Sequence, residues 1–515
     1  MGRMDFATML KNERNKAKTL TENGAIAYET SGKHLLDFNF KLSQYRNLSV
    51  EEIKKDFSKV FFEDPLIATK FVFYVGDVRG GLGERKIFNA CIEWLAENKK
   101  DIATSVLWAI PEYTRWDNLC KLVTNPNVCE WALNLISDTL DNDINNMYHN
   151  KPITLLAKWM PSINASSKQT INLAKDICYK LRMTPRDYRK TLSALRKYLD
   201  IVETKMSANE WENVDYSAVP SQANLKYNSA FLKHDEARRR AYLESLRKGE
   251  TKINASVAQP HEIVRNYLKG DCGWWYGVDV KGYDETLEQM WKALPNVMVE
   301  DSLVVRDGSG SMTCPAGSGK TSCLDVATAL AIYCAEHNSD IWKDKFITFS
   351  SHPEFVDLSN CNTLHDKLVR CYAEDDCSNT NIEATMELIL DTAISNNCTQ
   401  DEMPKNIIII SDMQFDNTTR YHNFHWNKTL FEVISDEYKA HGYLLPKIIF
   451  WNVSARNFST IPMQNNELGL ILCSGFSTTN MKMFMSGEIN PYKVLLEQIN
   501  SKRYNAIEES IKQLI

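Results

Sequence analysis

Apolar residues recur at three- and four-residue spacings through the first half of the chain. ATKFVFYVGDV, FNACIEWLAEN, SVLWAI, WALNLISDTL and TINLAKDICYKL each gather them on one helical face. Pro111, Pro126, Pro161, Pro185 and Pro220 punctuate these segments. Helices of about 10–15 residues separated by short breaks predict stacked helix pairs, a HEAT-like helical repeat, although no clean sequence repeat accompanies them. From about residue 300 the pattern changes. SLVVRD, KFITFSS, NIIIISD, KIIFWNV and LGLILCS are short apolar runs rich in β-branched residues. Helical stretches lie between several of them, notably TSCLDVATALAIYCAEHN, NIEATMELILDTAI and NKTLFEVISDEYKAHG. Continuous apolar strands alternating with helices predict a mostly parallel sheet covered on both faces.

The expected architecture is therefore multidomain. An α-helical repeat part spans residues 1–295, and an α/β doubly wound, Rossmann-like domain spans 296–515. PYKVLLEQINSKRYNAIEESI is predicted to close the second domain as one more amphipathic helix. The 43% apolar and 24% charged composition of the 515 residues is that of a globular protein. The net charge of −6 hides an asymmetry. Residues 1–300 carry 43 Lys and Arg against 39 Asp and Glu, whereas residues 301–515 carry 17 against 27. The two parts are expected to meet different partners. Lys175 to Lys197 holds eight basic residues against two Asp. No stretch reaches the ~20 apolar residues that span a bilayer. The first residues, MGRMDFATMLKNERNKAKTL, lack the apolar core of a secretory signal. A cytoplasmic, monomeric protein is expected, with no membrane partner. The 13 cysteines, without a C-x-x-C pair, read as reduced thiols. His422 and His425 read as a solvated pair.

Candidate chemistry begins where the first apolar strand ends. Asp307-Gly308-Ser309-Gly310-Ser311 places a carboxylate and two hydroxyls at alternate positions of a turn. Such an oxygen-rich turn suits a hard cation, with Mg²⁺ or another divalent ion as the expected cofactor. Thr380 in DDCSNTN and Asp412 at the end of NIIIISD stand where strand ends and strand-to-helix loops gather. Asp416 is a substitute for Asp412. The other reading of these residues is a set of turns capping helices. Cys314 to Thr321, CPAGSGKT, approaches a phosphate-binding loop. Cys314 replaces its first glycine, Pro315 removes an N–H donor, and the preceding strand already feeds the acidic turn. Nucleotide hydrolysis through Lys320 is therefore not expected. No nucleophile–base set can be assigned, and the protein is read as a non-enzyme.

The set Asp307, Ser309, Ser311, Thr380 and Asp412 resembles the metal-ion-dependent adhesion site of von Willebrand factor A domains. That resemblance implies that these five are the ligands, some through water, with a partner's acidic group completing the coordination. In the helical half, VGDVRGGLGERKIF marks a tight turn flanked by Arg79, Arg85 and Lys86, which can donate to phosphates, or can simply be solvated charges at a helix–helix turn. KFVFYVGDVRGGLGERKIF followed by WAIPEYTRWDNLCKLV resembles the TROVE module of Ro-type RNA-binding proteins. LLAKWMPS, YRKTLSALRKYLDIVETKMSANEW, VDYSAVPSQA, FLKHDEARRRAYL, PHEIV and ISDMQFD resemble an uncharacterised Ro-like family of plants, microbes and large viruses.

These resemblances imply a non-enzymatic ribonucleoprotein that binds small structured or single-stranded RNA and docks a ligand through Mg²⁺. Lys175, Lys180, Arg182, Arg186, Arg189 and Lys190, with Arg196 and Lys197, supply phosphate donors, and Tyr179, Tyr188 and Tyr198 are interleaved for stacking. Arg238, Arg239 and Arg240 form a second cluster. The alternative is a metal-dependent protein-interaction scaffold without RNA, in which the basic helices face solvent or the acidic half.

Overall fold

The computed structural model describes residues 18–22, 26–270, 279–317, 319–349, 353–373, 382–415, 430–454, 456, 460–462, 469–484 and 486–515. They form two compact units, each made of two separated lengths of chain. One unit comprises residues 1–49 and 258–498, the other residues 50–257 and 499–515. The expectation of helical and α/β parts holds at this level. The chain crosses between the units three times, however, so their compaction does not follow one cut at residue 295.

The helical unit contains α1 (Val50–Glu63), α2 (Pro65–Gly76), α3 (Arg85–Asn98), α4 (Cys129–Tyr148), α5 (Lys168–Lys180) and α6 (Pro185–Tyr198), among shorter helices. Their starts are written locally. Asp64 Oδ1 accepts the Ile67 N–H at 3.0 Å, and Pro65 occupies the first turn, where its missing N–H costs nothing. Thr184 Oγ1 accepts the Asp187 N–H at 3.1 Å ahead of Pro185. Phe57 and Phe61 of α1 meet Trp94 of α3, with ring centroids 5.4 and 5.1 Å away.

The glycine-rich turn between α2 and α3 folds back onto the end of α2. The Leu82 and Glu84 N–H groups donate to the Tyr74 and Val75 carbonyls at 3.0 and 2.8 Å. Carbonyls that the helix end would leave bare are thus satisfied. A Cβ at Gly81 would stand 2.0 Å from the Tyr74 carbonyl oxygen, so no larger residue fits.

Residues 499–515, expected to close the α/β domain, belong to the helical unit. The buried Asp77 carboxylate accepts the Arg503 guanidinium on both oxygens, at 2.9 Å on Oδ1, and the Tyr504 hydroxyl at 3.1 Å. Lys70, almost wholly buried, pairs with Glu508 at 2.7 Å.

The sheet unit is built on β1 (Ser302–Asp307), β2 (Lys345–Phe349), β3 (Phe355–Asp357), β4 (Asn406–Ser411), β5 (Lys447–Asn452) and β6 (Leu470–Ser474). Their order is 6-5-4-1-2-3, parallel throughout except for the antiparallel edge strand β3. The chain winds from β1 to one edge, then returns and winds to the other, which makes the sheet doubly wound. Helix α7 (Cys323–Glu336), apolar nearly all round and buried along its length, contacts β1, β2 and β4. Residues 26–49 also belong here. Tyr28 exchanges both backbone hydrogen bonds with Ile461 at 2.8 Å, and the Ser43 hydroxyl donates to the Asn452 carbonyl at 3.0 Å. Among the described residues no helix is long and apolar enough to cross a membrane.

Candidate cation site

β1 and β4 are neighbours, and the chain reverses its winding direction between them. In doubly wound sheets this switch point opens a crevice at the carboxyl ends of the strands. Register places Arg306 opposite Ile410, so the residues that follow, Asp307 on one strand and Ser411 and Asp412 on the other, meet at that edge.

Asp307 is fully buried. Its Oδ1 accepts the Ser309 N–H at 2.9 Å, and its Oδ2 accepts the Ser411 hydroxyl at 2.6 Å. The Ser309 and Ser311 hydroxyls lie 2.9 Å apart. Asp412 is also fully buried. Its Oδ1 accepts the Gln414 N–H at 3.2 Å, but its Oδ2 has no hydrogen-bond partner. Met413 takes a left-handed φ of 63°, which is costly for a non-glycine residue, and its N–H donates to Ser411 Oγ at 2.9 Å. This tight turn fixes the direction of Asp412. Burial, reinforced by the Asp412 charge, pushes the Asp307 carboxyl up to about 7. Burial also raises Asp412, opposed first by the Ser311 hydroxyl.

Two buried carboxylates, one of them with a bare oxygen, and two hydroxyls form an oxygen-only donor set. A hard divalent cation fits it, because it would neutralise the buried charge and give Asp412 Oδ2 its missing partner. The fit depends on hydroxyls as well as acids. Among the described residues, no three His, Cys, Asp or Glu side chains gather as a metal-holding group.

Of the five expected ligands, Asp307, Ser309, Ser311 and Asp412 meet at this edge. Thr380 lies outside the described residues, as do Asp416, His422 and His425. Ser411 was missed. It is adjacent to Asp412 in sequence, but its bond to Asp307 arises only from the pairing of two strands. A surrounding layer also had no sequence signal. The Glu22 N–H donates to Gln414 Oε1 at 2.8 Å, the Thr21 hydroxyl donates to the Phe415 carbonyl at 2.7 Å, and Arg456 pairs with Glu22 at 2.7 Å.

The phosphate-loop lookalike folds as a small hairpin. Pro315 and Ser322 form an antiparallel bridge, and the Ala316 N–H donates to the Thr321 carbonyl at 2.8 Å. Ser322 then caps α7, its hydroxyl accepting the Asp325 N–H at 3.0 Å.

The basic residues of the helical unit divide by role. Lys175, Arg182, Arg186, Arg189 and Lys190 are exposed on α5, α6 and the turn between them, beside a Tyr179 that is 83% exposed. Lys180 is exposed too, but donates to the Val123 carbonyl at 2.6 Å. Arg196 instead ties down backbone, donating to the Ala157 and Met160 carbonyls at 2.8 and 2.7 Å. Tyr188, expected as a stacking surface, is buried with its hydroxyl on the Pro161 carbonyl at 2.8 Å. Near the glycine turn, Arg85 reaches Asn118 Oδ1 at 2.9 Å and pairs with Asp117, while Arg79 donates to the Glu112 carbonyl at 3.2 Å. Both therefore meet the neighbouring helices. Lys86 is exposed. In the second cluster, Arg239 is buried against Tyr216 and Phe231, its guanidinium carbon 5.0 and 5.3 Å from the ring centres.

Comparison with known families corrects the resemblances to TROVE modules and von Willebrand factor A domains. Residues 301–513 match the domain of unknown function DUF7788, and residues 21–107 and 131–302 match the domain of unknown function DUF2828, a different family from TROVE. Across 95% of its length, the chain is also 29% identical to uncharacterized protein L728 of Acanthamoeba polyphaga mimivirus, covering 88% of that protein. The two stretches that match DUF2828 together amount to half of the 515 residues, and the chain belongs to that family.

Proposed function

We propose that the sheet unit is a non-enzymatic docking module that holds Mg²⁺ between Asp307, Ser309, Ser311 and Asp412 and captures an oxygen ligand of a partner through that ion. The observation that carries this reading is the fully buried Asp412 Oδ2, left without a hydrogen-bond partner beside a second buried carboxylate. Leaving such a group bare is expensive, and a cation removes the cost. Mg²⁺ prefers octahedral coordination. Four side chains giving one oxygen each leave positions open for water or a partner's carboxylate or phosphate. Thermal unfolding of the full chain tests the reading. Millimolar Mg²⁺ should raise the Tm of the wild type, since a ligand of the native state stabilises it by mass action. Asp412→Asn, which keeps the shape and removes the charge, should lose most of that rise. Equal rises in both proteins, or none in the wild type, would sink it.

A second reading places RNA on α5 and α6, on a HEAT-like platform of stacked helices. The exposed Tyr179 ring among the exposed cations Lys175, Arg182, Arg186, Arg189 and Lys190 favours it, because that combination pairs a stacking face with phosphate donors. Lys175→Glu, Arg186→Glu and Lys190→Glu together should weaken filter binding of RNA and flatten its dependence on salt. Wild-type protein that retains no RNA at low salt ends this reading.

A further inference from the structure

Cys314 and Cys323 stand at the open end of the hairpin that separates the Ser309–Ser311 turn from α7. The bridge between Pro315 and Ser322 sets the two cysteines opposite each other, and the Cys323 N–H donates to the Cys314 carbonyl at 3.0 Å. Their sulfurs are 3.5 Å apart, in contact and unbonded. The two cysteines make one of the two bonds of a hydrogen-bonded antiparallel pair, since the Cys314 N–H donates instead to the Ser311 carbonyl at 3.3 Å. In the regular pair the Cα atoms stand about 5.5 Å apart, within the usual range for a disulfide. Closing the bond requires the sulfurs to approach by roughly 1.5 Å, a movement that side-chain rotation can supply. The two thiols differ in access. Cys314 is partly exposed, whereas Cys323 is fully buried behind it.

We propose that Cys314 and Cys323 are a redox pair that closes into a reversible disulfide, with hydrogen peroxide as the oxidant, and staples the Ser309–Ser311 turn to the start of α7. The partly exposed Cys314, as its thiolate, attacks the peroxide oxygen. The O–O bond breaks, Cys314 becomes a sulfenic acid, and the leaving oxygen departs as water after taking a proton. Cys323 then attacks the Cys314 sulfur. The S–S bond forms, the S–O bond breaks, and the departing hydroxide takes the Cys323 proton to leave as a second water. Two thiols are oxidised by two electrons in all and one hydrogen peroxide is reduced by two, giving two waters. For the sheet unit, the consequence is a turn fixed at both ends, since Asp307 already anchors its start through the Ser309 N–H. The staple forms whether or not a cation binds there.

Brief treatment of the full chain with hydrogen peroxide, followed by alkylation and peptide mapping without reductant, tests this. The expected product is a peptide pair joined through Cys314 and Cys323, released by dithiothreitol. Cys314→Ser should remove it and leave Cys323 as a free, slowly alkylated thiol. Cys323→Ser should instead trap Cys314 as a sulfenic acid that a dimedone probe labels. Over-oxidation of wild-type Cys314 to sulfinic acid without the joined peptide overturns the proposal. So does a joined peptide that appears equally after treatment in denaturant, where native proximity is lost.

Discussion

At the scale of single residues, burial without partners identifies the groups that conditions will act on. His261 is buried, its Nδ1 has no hydrogen-bond partner, and its ring centre is 5.2 Å from that of Phe476. Arg46 stacks on the same phenyl ring, its guanidinium carbon 3.8 Å from the centre. Burial, and then the Arg46 charge, lowers the imidazole from 6.5 to about 3. The unfolded chain therefore takes up this proton at a higher pH than the folded one. The stability it contributes is complete above 6.5 and is lost as pH falls from there toward 3, on the order of 3 kcal/mol by pH 4. Urea denaturation between pH 7 and pH 4 should show a shallower acid decline for His261→Gln than for the wild type. Parallel declines would mean another group governs this limb.

Part of the candidate site was legible at this scale. Asp307, Ser309 and Ser311 are contiguous, and their alternation at the end of an apolar strand shows on the page. Ser411 was not legible, because its role depends on a register between strands 104 residues apart. Tyr188 was misread although its signal was present. Tyr188, Leu192 and Leu195 fall on one face of α6 at helical spacing and are all buried. The cations interleaved with them mask that period in the sequence.

At the scale of elements, the continuous apolar runs found all five parallel strands, because strands covered on both faces carry no polar alternation. The edge strand β3 escaped. It has three residues, Phe355–Asp357, with only Val356 buried. Within the helical unit, two substitutions separate structural cations from exposed ones. Arg196→Ala should destabilise the protein by about 2 kcal/mol, since it unties two carbonyls of the 156–160 segment. Arg186→Ala should change stability by less than about 0.5 kcal/mol. Chemical denaturation of the two variants checks this, and equal losses would contradict the division. Gly81→Ala should cost more than Arg186→Ala, because its methyl group would strike the Tyr74 carbonyl.

At the scale of the molecule, the 499–515 segment completes the helical unit by ion pairs and not by apolar packing alone. Arg503 and Asp77 are joined by two hydrogen bonds, and Asp77 is fully buried. Removing one partner leaves an uncompensated buried charge, whereas removing both does not. Arg503→Met should therefore cost about 3 kcal/mol or more, and the double variant Asp77→Asn, Arg503→Met should cost less than the two single losses added together. A double-mutant cycle measured by urea denaturation decides it. Simple additivity would show that the pair acts independently. No sequence signal joined these residues, since the pairing spans 426 positions.

The crossed threading of the two units also sets an order of events during synthesis. Residues 26–49 emerge from the ribosome about 400 residues before Asn452 and Ile461, the residues they bond. Asp77 likewise waits for Arg503. Neither unit can finish folding as it emerges, as an N-terminal domain on a string normally does. A nascent chain of this protein carries exposed core surface from both units until residues 452–503 have been made. Its yield in cells should therefore depend on chaperones that shield such surface far more than its length alone would suggest.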